Sequence, residues 1–306
     1  MMTSLTTQTS AGPALEQLER LDAQVDRVFL ARQHPITGLM PASTANTVHG
    51  NYGDAWVRDN VYTVQAIWGL ALAWRRQGQR PARVYALEQS VLALMRGLMR
   101  SMMAQAAKVE RFKASQELLD ALHAKYDTAT GQPVVADNAW GHLQLDATSL
   151  FVLQLAQLTR SGLVVVANAA QAAFVQNLIY YLCRAYRVAD YGIWERGDKG
   201  NNGAPERNAS SIGLVKAALE ASTGLDPFGP HGDGRHTLWV PPDAVLRLRR
   251  ALEALLPRES ASKEVDSGCL AVIGYPSWGV EGEELRARTQ VSIHRELGGR
   301  YGYSRF

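Results

Sequence analysis

VYTVQAIWGLALAWRRQ, residues 61–77, is apolar on nearly every face of a 3.6-residue helix until its closing Arg75–Arg76 pair. A helix of that kind has no face for water and must be buried. Asp59–Asn60 stand just before it and read as its cap. The run 145–159 has the same character. Other helical stretches carry only a stripe: Leu15, Leu18, Leu21, Val25, Val28 and Phe29 recur at spacings of three and four, and 243–256 and 281–297 are likewise amphipathic and charged. Very apolar inner helices wrapped by amphipathic outer ones predict a two-layered helical toroid. A helical bundle fits the periodicity alone.

Further helices are predicted from Ala82 to about Lys108, where Pro81 marks the start, and over 169–188, 208–222 and 267–273. The total is nine or ten. Pro35, Gly38 and Pro41 mark a loop, and GLVVVA (162–167) is the only strand signal. No period of 30 to 45 residues recurs, which disfavours a solenoid. With no linker to divide the chain, residues 14–306 read as one domain behind a disordered tail, 1–13.

The 306 residues are 46% hydrophobic and 20% charged, with a net charge of +3. That mild excess does not indicate nucleic acid. Cys183 and Cys269 read as two buried thiols. There is no secretory signal and no apolar stretch long enough for a membrane span, so the expected compartment is the cytoplasm. The histidines lack metal-ligand spacing, GPHGDGRH (229–236) lacks the context of a phosphate loop, and no cofactor is expected. Helix 90–113, with Met95, Met99, Met102 and Met103, has the look of a calmodulin target but reads better as a barrel helix.

Polar and aromatic residues gather in three connections: YGDAWVRDN with Tyr52, Asp54, Trp56, Arg58 and Asp59; DNAWGHLQLD with Asp137, Trp140, His142, Gln144 and Asp146; and YGIWERGDKGNNG with Trp194, Glu195, Arg196, Asp198 and Lys199. Each precedes a helix, so in a toroid they can converge on one end. Sugars need that mixture: their CH faces pack on Trp and Tyr, and their hydroxyls want paired donors and acceptors. Glycosidic cleavage adds a carboxylic acid as proton donor, its pKa raised by an apolar neighbour such as Trp194, and a second carboxylate as base or nucleophile. Plainer readings stand beside these. Asp59 is equally an N-cap, Trp56 and Trp140 core anchors, Arg58 a structural ion pair, and Glu195 one charge of a solvated loop. Asn208-Ala-Ser reads as a helix start.

PITGLMPAS, DAWVRDNVYTVQAIWGLALAWRR, YALEQSVLALMRGLM, LHAKYDTATGQPVV, WGHLQLDATSL, DYGIWERGDKGNNG, RNASSIGLVKAALEA, LLPRESASKEVD and GRYGYSRF follow in order over about residues 33–306. Together they resemble the N-terminal domain of phosphorylase kinase α and β regulatory subunits, in the superfamily of glycoside hydrolase family 15, the glucoamylases. The resemblance implies an all-α (α/α)6 barrel. It implies that Arg58 and Asp59 hold the sugar, with Trp56 nearby, that Glu195 is the general acid of an inverting hydrolase, and that Gln144 and Asp146 line the same pocket. Trp140 and Trp194 would shape it. The implied partner is an α-glucan or maltooligosaccharide. A regulatory protein partner of the calmodulin type is implied by the family alone and falls on no residue here.

In that family the general base lies beyond the segment matching GRYGYSRF, and twelve helices complete the barrel. The expectation is therefore an incomplete barrel, lacking its last helices and its base, with exposed inner surface that favours instability or oligomers. Glu264 and Asp266 are the nearest spare carboxylates, in a segment that does not match the base. Two functions follow: a glucoamylase-like hydrolase, or a non-catalytic glucan-binding regulatory module.

Overall fold

The computed structural model describes residues 13–44, 46–47, 50–138, 143–193 and 204–305. Ten α-helices occur among them: α1 (Pro13–Val28), α2 (Val57–Gln77), α3 (Pro81–Met103), α4 (Ala106–Ser115), α5 (Leu145–Arg160), α6 (Ala169–Ala185), α7 (Ala209–Ser222), α8 (Ala244–Leu255), α9 (Leu270–Ile273) and α10 (Glu283–Leu297).

Burial sorts them into two layers. Every residue of α5 except Gln157 and Arg160 is buried, as is α7 from Ala209 through Leu219. By contrast α8 buries Ala244, Leu248 and Leu252, and α10 buries Thr289, Ile293 and Leu297, single stripes at i, i+4. The inner helices α2, α5, α7 and α9 pack side by side in that order. Around them α1 and α3 cover α2, α6 covers α5, α8 covers α7, and α10 covers α9. This in–out winding is that of an (α/α)6 barrel. Trp74, fully buried, knits the layers: its indole donates to Asp22 Oδ2 at 3.0 Å, and Asp22 Oδ1 accepts from Arg83 Nε at 2.8 Å, joining α1, α2 and α3.

Three expectations are corrected. Asp59–Asn60 are not the cap of α2: the helix begins at Val57 with Trp56 as N-cap, because Ala55–Trp56 pair with Lys125–Tyr126 and Val57 N donates to Ala124 O. Asn60 instead clasps the Met40 backbone, accepting from its N at 3.0 Å and donating to its O at 2.8 Å. GLVVVA forms no strand, since no partner strand lies beside it among the described residues; Arg96 binds the carbonyls of Val164 and Val165 from α3. The helix expected over 82–108 divides into α3 and α4 at Gln105, whose side chain holds Tyr126 OH and His123 N.

Other readings hold. Met95, Met99 and Met102 are fully buried, which makes that helix core, and both cysteines are buried and free. Gly38 (φ 76°) lies flat on α3, where a Cβ would meet Ala93 O at 2.3 Å. No helix among the described residues is long and apolar enough to cross a membrane.

Candidate active site

The first turns of the inner helices meet at one end, joined by side chains that satisfy their free N–H groups. Arg58 of α2 donates to Asp146 Oδ2 of α5 at 2.6 Å, and Asp146 is fully buried. Asp190 bridges α5 to α7. Its Oδ2 accepts from Leu145 N at 3.2 Å, Gly192 N at 3.1 Å and Ser211 Oγ at 2.7 Å, while Oδ1 accepts from Asn208 Nδ2 at 2.8 Å. Glu259 bridges α7 to the entry of α9. It accepts from Ser210 N and from Cys269 Sγ, both at 3.0 Å, and from Ser210 Oγ. Asp266 accepts from Gly268 N at 2.7 Å.

A cavity of about 440 Å³ opens above this polar ring, within the range of small-molecule sites. Arg58, Asp59, Tyr62, Ile193, Gly268 and Tyr275 line it. Asp59 and Tyr62 also line a second hollow of about 330 Å³, toward Phe29 and Met40–Thr44. Burial raises the Asp59 carboxyl above its ordinary range, opposed by the Arg58 guanidinium. Burial, then the Asp146 charge, pushes the Tyr62 hydroxyl up to about 12, so it stays a neutral donor. A larger hollow of about 500 Å³, between residues 262–265 and the end of α10, holds no residue of the predicted site.

Of the predicted residues, Arg58 and Asp59 share the cavity, and Asp146 and Gln144 lie buried behind it at the start of α5. The Trp56 ring stacks on Tyr52 at 5.8 Å, and Lys125 Nζ lies 4.3 Å from its centroid. Trp140, Trp194 and Glu195 lie outside the described residues. Ile193, which precedes Trp194–Glu195 in the chain, lines the cavity with Arg58 and Asp59. Asp137 is tied away from it, accepting from Lys108 Nζ at 2.5 Å and pairing with His123 Nε2 at 2.7 Å; the Lys108 bond foremost lowers its pKa to about 2. Glu264 is exposed and paired to Arg258, and Asp266 is buried as a local cap, so neither reaches the cavity lining.

Sequence reading missed Tyr62, Tyr275, Asp190 and Glu259. Tyr62 sits one helical turn past Arg58, the one available signal. Asp190 opens the DYGIWERGDKGNNG segment but looks like any loop aspartate, and nothing local marks Glu259.

The class is thus a helical barrel of the (α/α)6 type, with ten helices among the described residues and a charged, aromatic-walled cavity at the inner-helix N-termini. Residues 17–303 match glycosyl hydrolases family 15, and the chain belongs to that family. It is 50% identical over 301 residues to phosphorylase b kinase regulatory subunit alpha, liver isoform, of Takifugu rubripes, covering 97% of this chain and 24% of that one. It is 48% identical to the probable regulatory subunit alpha of Drosophila melanogaster, covering 97% and 23%. The chain therefore spans about a quarter of the length of these curated relatives. Among solved structures, a wild-type glycosidase superposes with TM-score 0.72 at 17% identity, over 97% of this chain and 74% of the other. The glucoamylase of Saccharomycopsis fibuligera does so with TM-score 0.59 at 14% identity, over 94% and 66%.

Proposed function

We propose that residues 14–306 form a glucoamylase-type domain that takes the end of an α-glucan or maltooligosaccharide into the Arg58–Asp59 cavity. The observation that carries this reading is that Ile193, the residue before Trp194–Glu195 in the sequence, lines one cavity with Arg58 and Asp59. Arg58 and Asp59 bind hydroxyls as a charge-assisted donor and acceptor. Tyr62 and Tyr275 wall the cavity, Asp146 holds Arg58 from behind, and Gln144 lies buried beside Asp146 at the start of α5. Glu195 is the general acid, with Trp194 and Trp140 excluding water. Inverting hydrolysis further requires a carboxylate to activate water on the opposite face of the sugar, about 6.5–9.5 Å from the acid.

Binding is tested by calorimetry with maltose and a glucose-type inhibitor; the reading requires heat in the parent and its loss in Asp59→Ala. Hydrolysis is tested by release of β-glucose from maltooligosaccharides, abolished in Glu195→Gln. The second reading is a glucan-binding regulatory module in the cytoplasm, acting through a protein partner in glycogen metabolism. The 48–50% identity to kinase regulatory subunits favours it. Binding without β-glucose release selects it.

A further inference from the structure

On the outer wall, away from the inner-helix N-termini, α6 and the segment joining α7 to α8 hold two aromatic rings side by side. Trp239 is 53% exposed, while its neighbours Leu238 and Val240 are buried. That alternation anchors the chain on both sides and turns the indole outward. Gln176 of α6 fixes the backbone there, accepting from Trp239 N at 2.8 Å and donating to Trp239 O at 2.9 Å. Leu238 N donates to Leu225 O at 2.8 Å. Tyr180, one turn beyond Gln176, sets its ring centroid 6.0 Å from that of Trp239, with 55° between the planes. Lys113 of α4 lies 5.7 Å from the Tyr180 centroid and donates to Asn177 Oδ1 at 2.8 Å.

The Trp239 indole is therefore held in water at a fixed place beside the Tyr180 ring. We propose that Tyr180 and Trp239 form a second α-glucan-binding platform, separate from the Arg58–Asp59 cavity. Sugar CH faces pack on aromatic rings, and the flanking Asn177 Nδ2 offers a donor to hydroxyls, its Oδ1 being held by Lys113, which also pairs with Glu110 at 2.8 Å. The tilt selects the ligand class. Successive rings of an α-1,4-glucan turn relative to one another, as these two planes do, whereas those of a β-1,4-glucan run nearly flat. A polymer held here and at the cavity gains the effective concentration of a two-point ligand.

The inference rests on the α-glucan reading above, and the experiment separates the two. The whole chain and its Trp239→Ala, Tyr180→Ala and Asp59→Ala variants are run in native gels containing glycogen and titrated with maltoheptaose, cellohexaose and a glucose-type inhibitor. Trp239→Ala and Tyr180→Ala weaken glycogen retention about tenfold each and leave inhibitor binding unchanged. Circular dichroism of Trp239→Ala matches the parent, because the lost ring is exposed. Cellohexaose binds the parent about tenfold more weakly than maltoheptaose. Parent-like glycogen retention in Trp239→Ala, with the Asp59 effect intact, overturns the platform alone. So does equal binding of cellohexaose, or a change of sedimentation in Trp239→Ala in place of a change in retention, which would mark a protein contact. No α-glucan binding by the parent overturns both proposals.

Discussion

Asp190 and Glu206 exchange backbone hydrogen bonds, the N–H of each donating to the carbonyl of the other at 2.8 and 3.0 Å. The segment that carries Trp194 and Glu195 in the sequence therefore has its two ends held together at one point of the barrel. Both side chains reinforce that point: Asp190 ties it to α5 and α7, and Glu206 accepts from Ser260 Oγ at 2.9 Å and Ser262 N at 3.0 Å. Asp190→Ala strands three buried donors, Leu145 N, Gly192 N and Ser211 Oγ, while Asn208 Nδ2 keeps the carbonyls of Asp190 and Glu206; the expected cost is about 3–5 kcal/mol, read by urea denaturation. Asp190→Asn keeps a carbonyl oxygen for most of those donors and should cost markedly less. Equal losses in the two variants would show that the hydrogen bonds are not what holds the junction.

The Arg58–Asp146 pair joins α2 to α5 at the cavity floor. Removing the carboxylate in Asp146→Ala takes a fully buried partner from the guanidinium, at a cost of about 3 kcal/mol. It also removes a contact that orients the Arg58 head, so maltose affinity should fall about tenfold or more by calorimetry. A variant that loses stability and keeps its affinity would make Asp146 a purely structural anchor.

The layers were legible in the sequence because burial all round and burial along one stripe leave different periodicities: 61–77 and 145–159 against 14–31 and 281–297. Arg58 and Asp59 were legible as a charged pair beside a helix start. Their exact role in the helix was not, since the two-residue pairing of Ala55–Trp56 with Lys125–Tyr126 moves the boundary, and a contact 70 residues distant leaves no local trace. GLVVVA misled for the same reason, as β-branched residues make a strand only where a neighbour offers hydrogen bonds. Asp190 and Glu259 were hidden because each caps a helix that is remote in the chain.

Gly268 lines the cavity together with Ile193. A Cβ there would lie 2.8 Å from Ile193 Cγ2 and 3.0 Å from Asp266 Oδ1. Gly268→Ala must push Ile193 or break the Asp266 cap, at an expected cost of about 1–3 kcal/mol. Because Ile193 leads into Trp194–Glu195, the same change should weaken inhibitor binding more than its stability loss accounts for. Unchanged affinity in a folded Gly268→Ala would uncouple Ile193 from the ligand.

Glu259 gives the fold a pH signature. It is buried beside Asp266, Cys269 and Ser210, with Lys263 3.8 Å from Asp266. Burial first, and the Asp266 charge second, push its carboxyl up to about 8. In the unfolded chain the group titrates near 4.5. Between those values the native state holds a proton that the unfolded state has released, so raising the pH favours unfolding through this window and no further above it. Asp190, raised to about 6 chiefly by burial, adds a drop of the same sign below pH 6. The melting temperature should therefore fall by on the order of 5 °C between pH 6.5 and 8.5. Glu259→Gln keeps an acceptor for Ser210 and has no proton to lose, so its melting curve should be nearly flat across that interval. A parent protein equally flat there would mean that Glu259 is ionised in the native state and that Lys263 holds the cluster in balance.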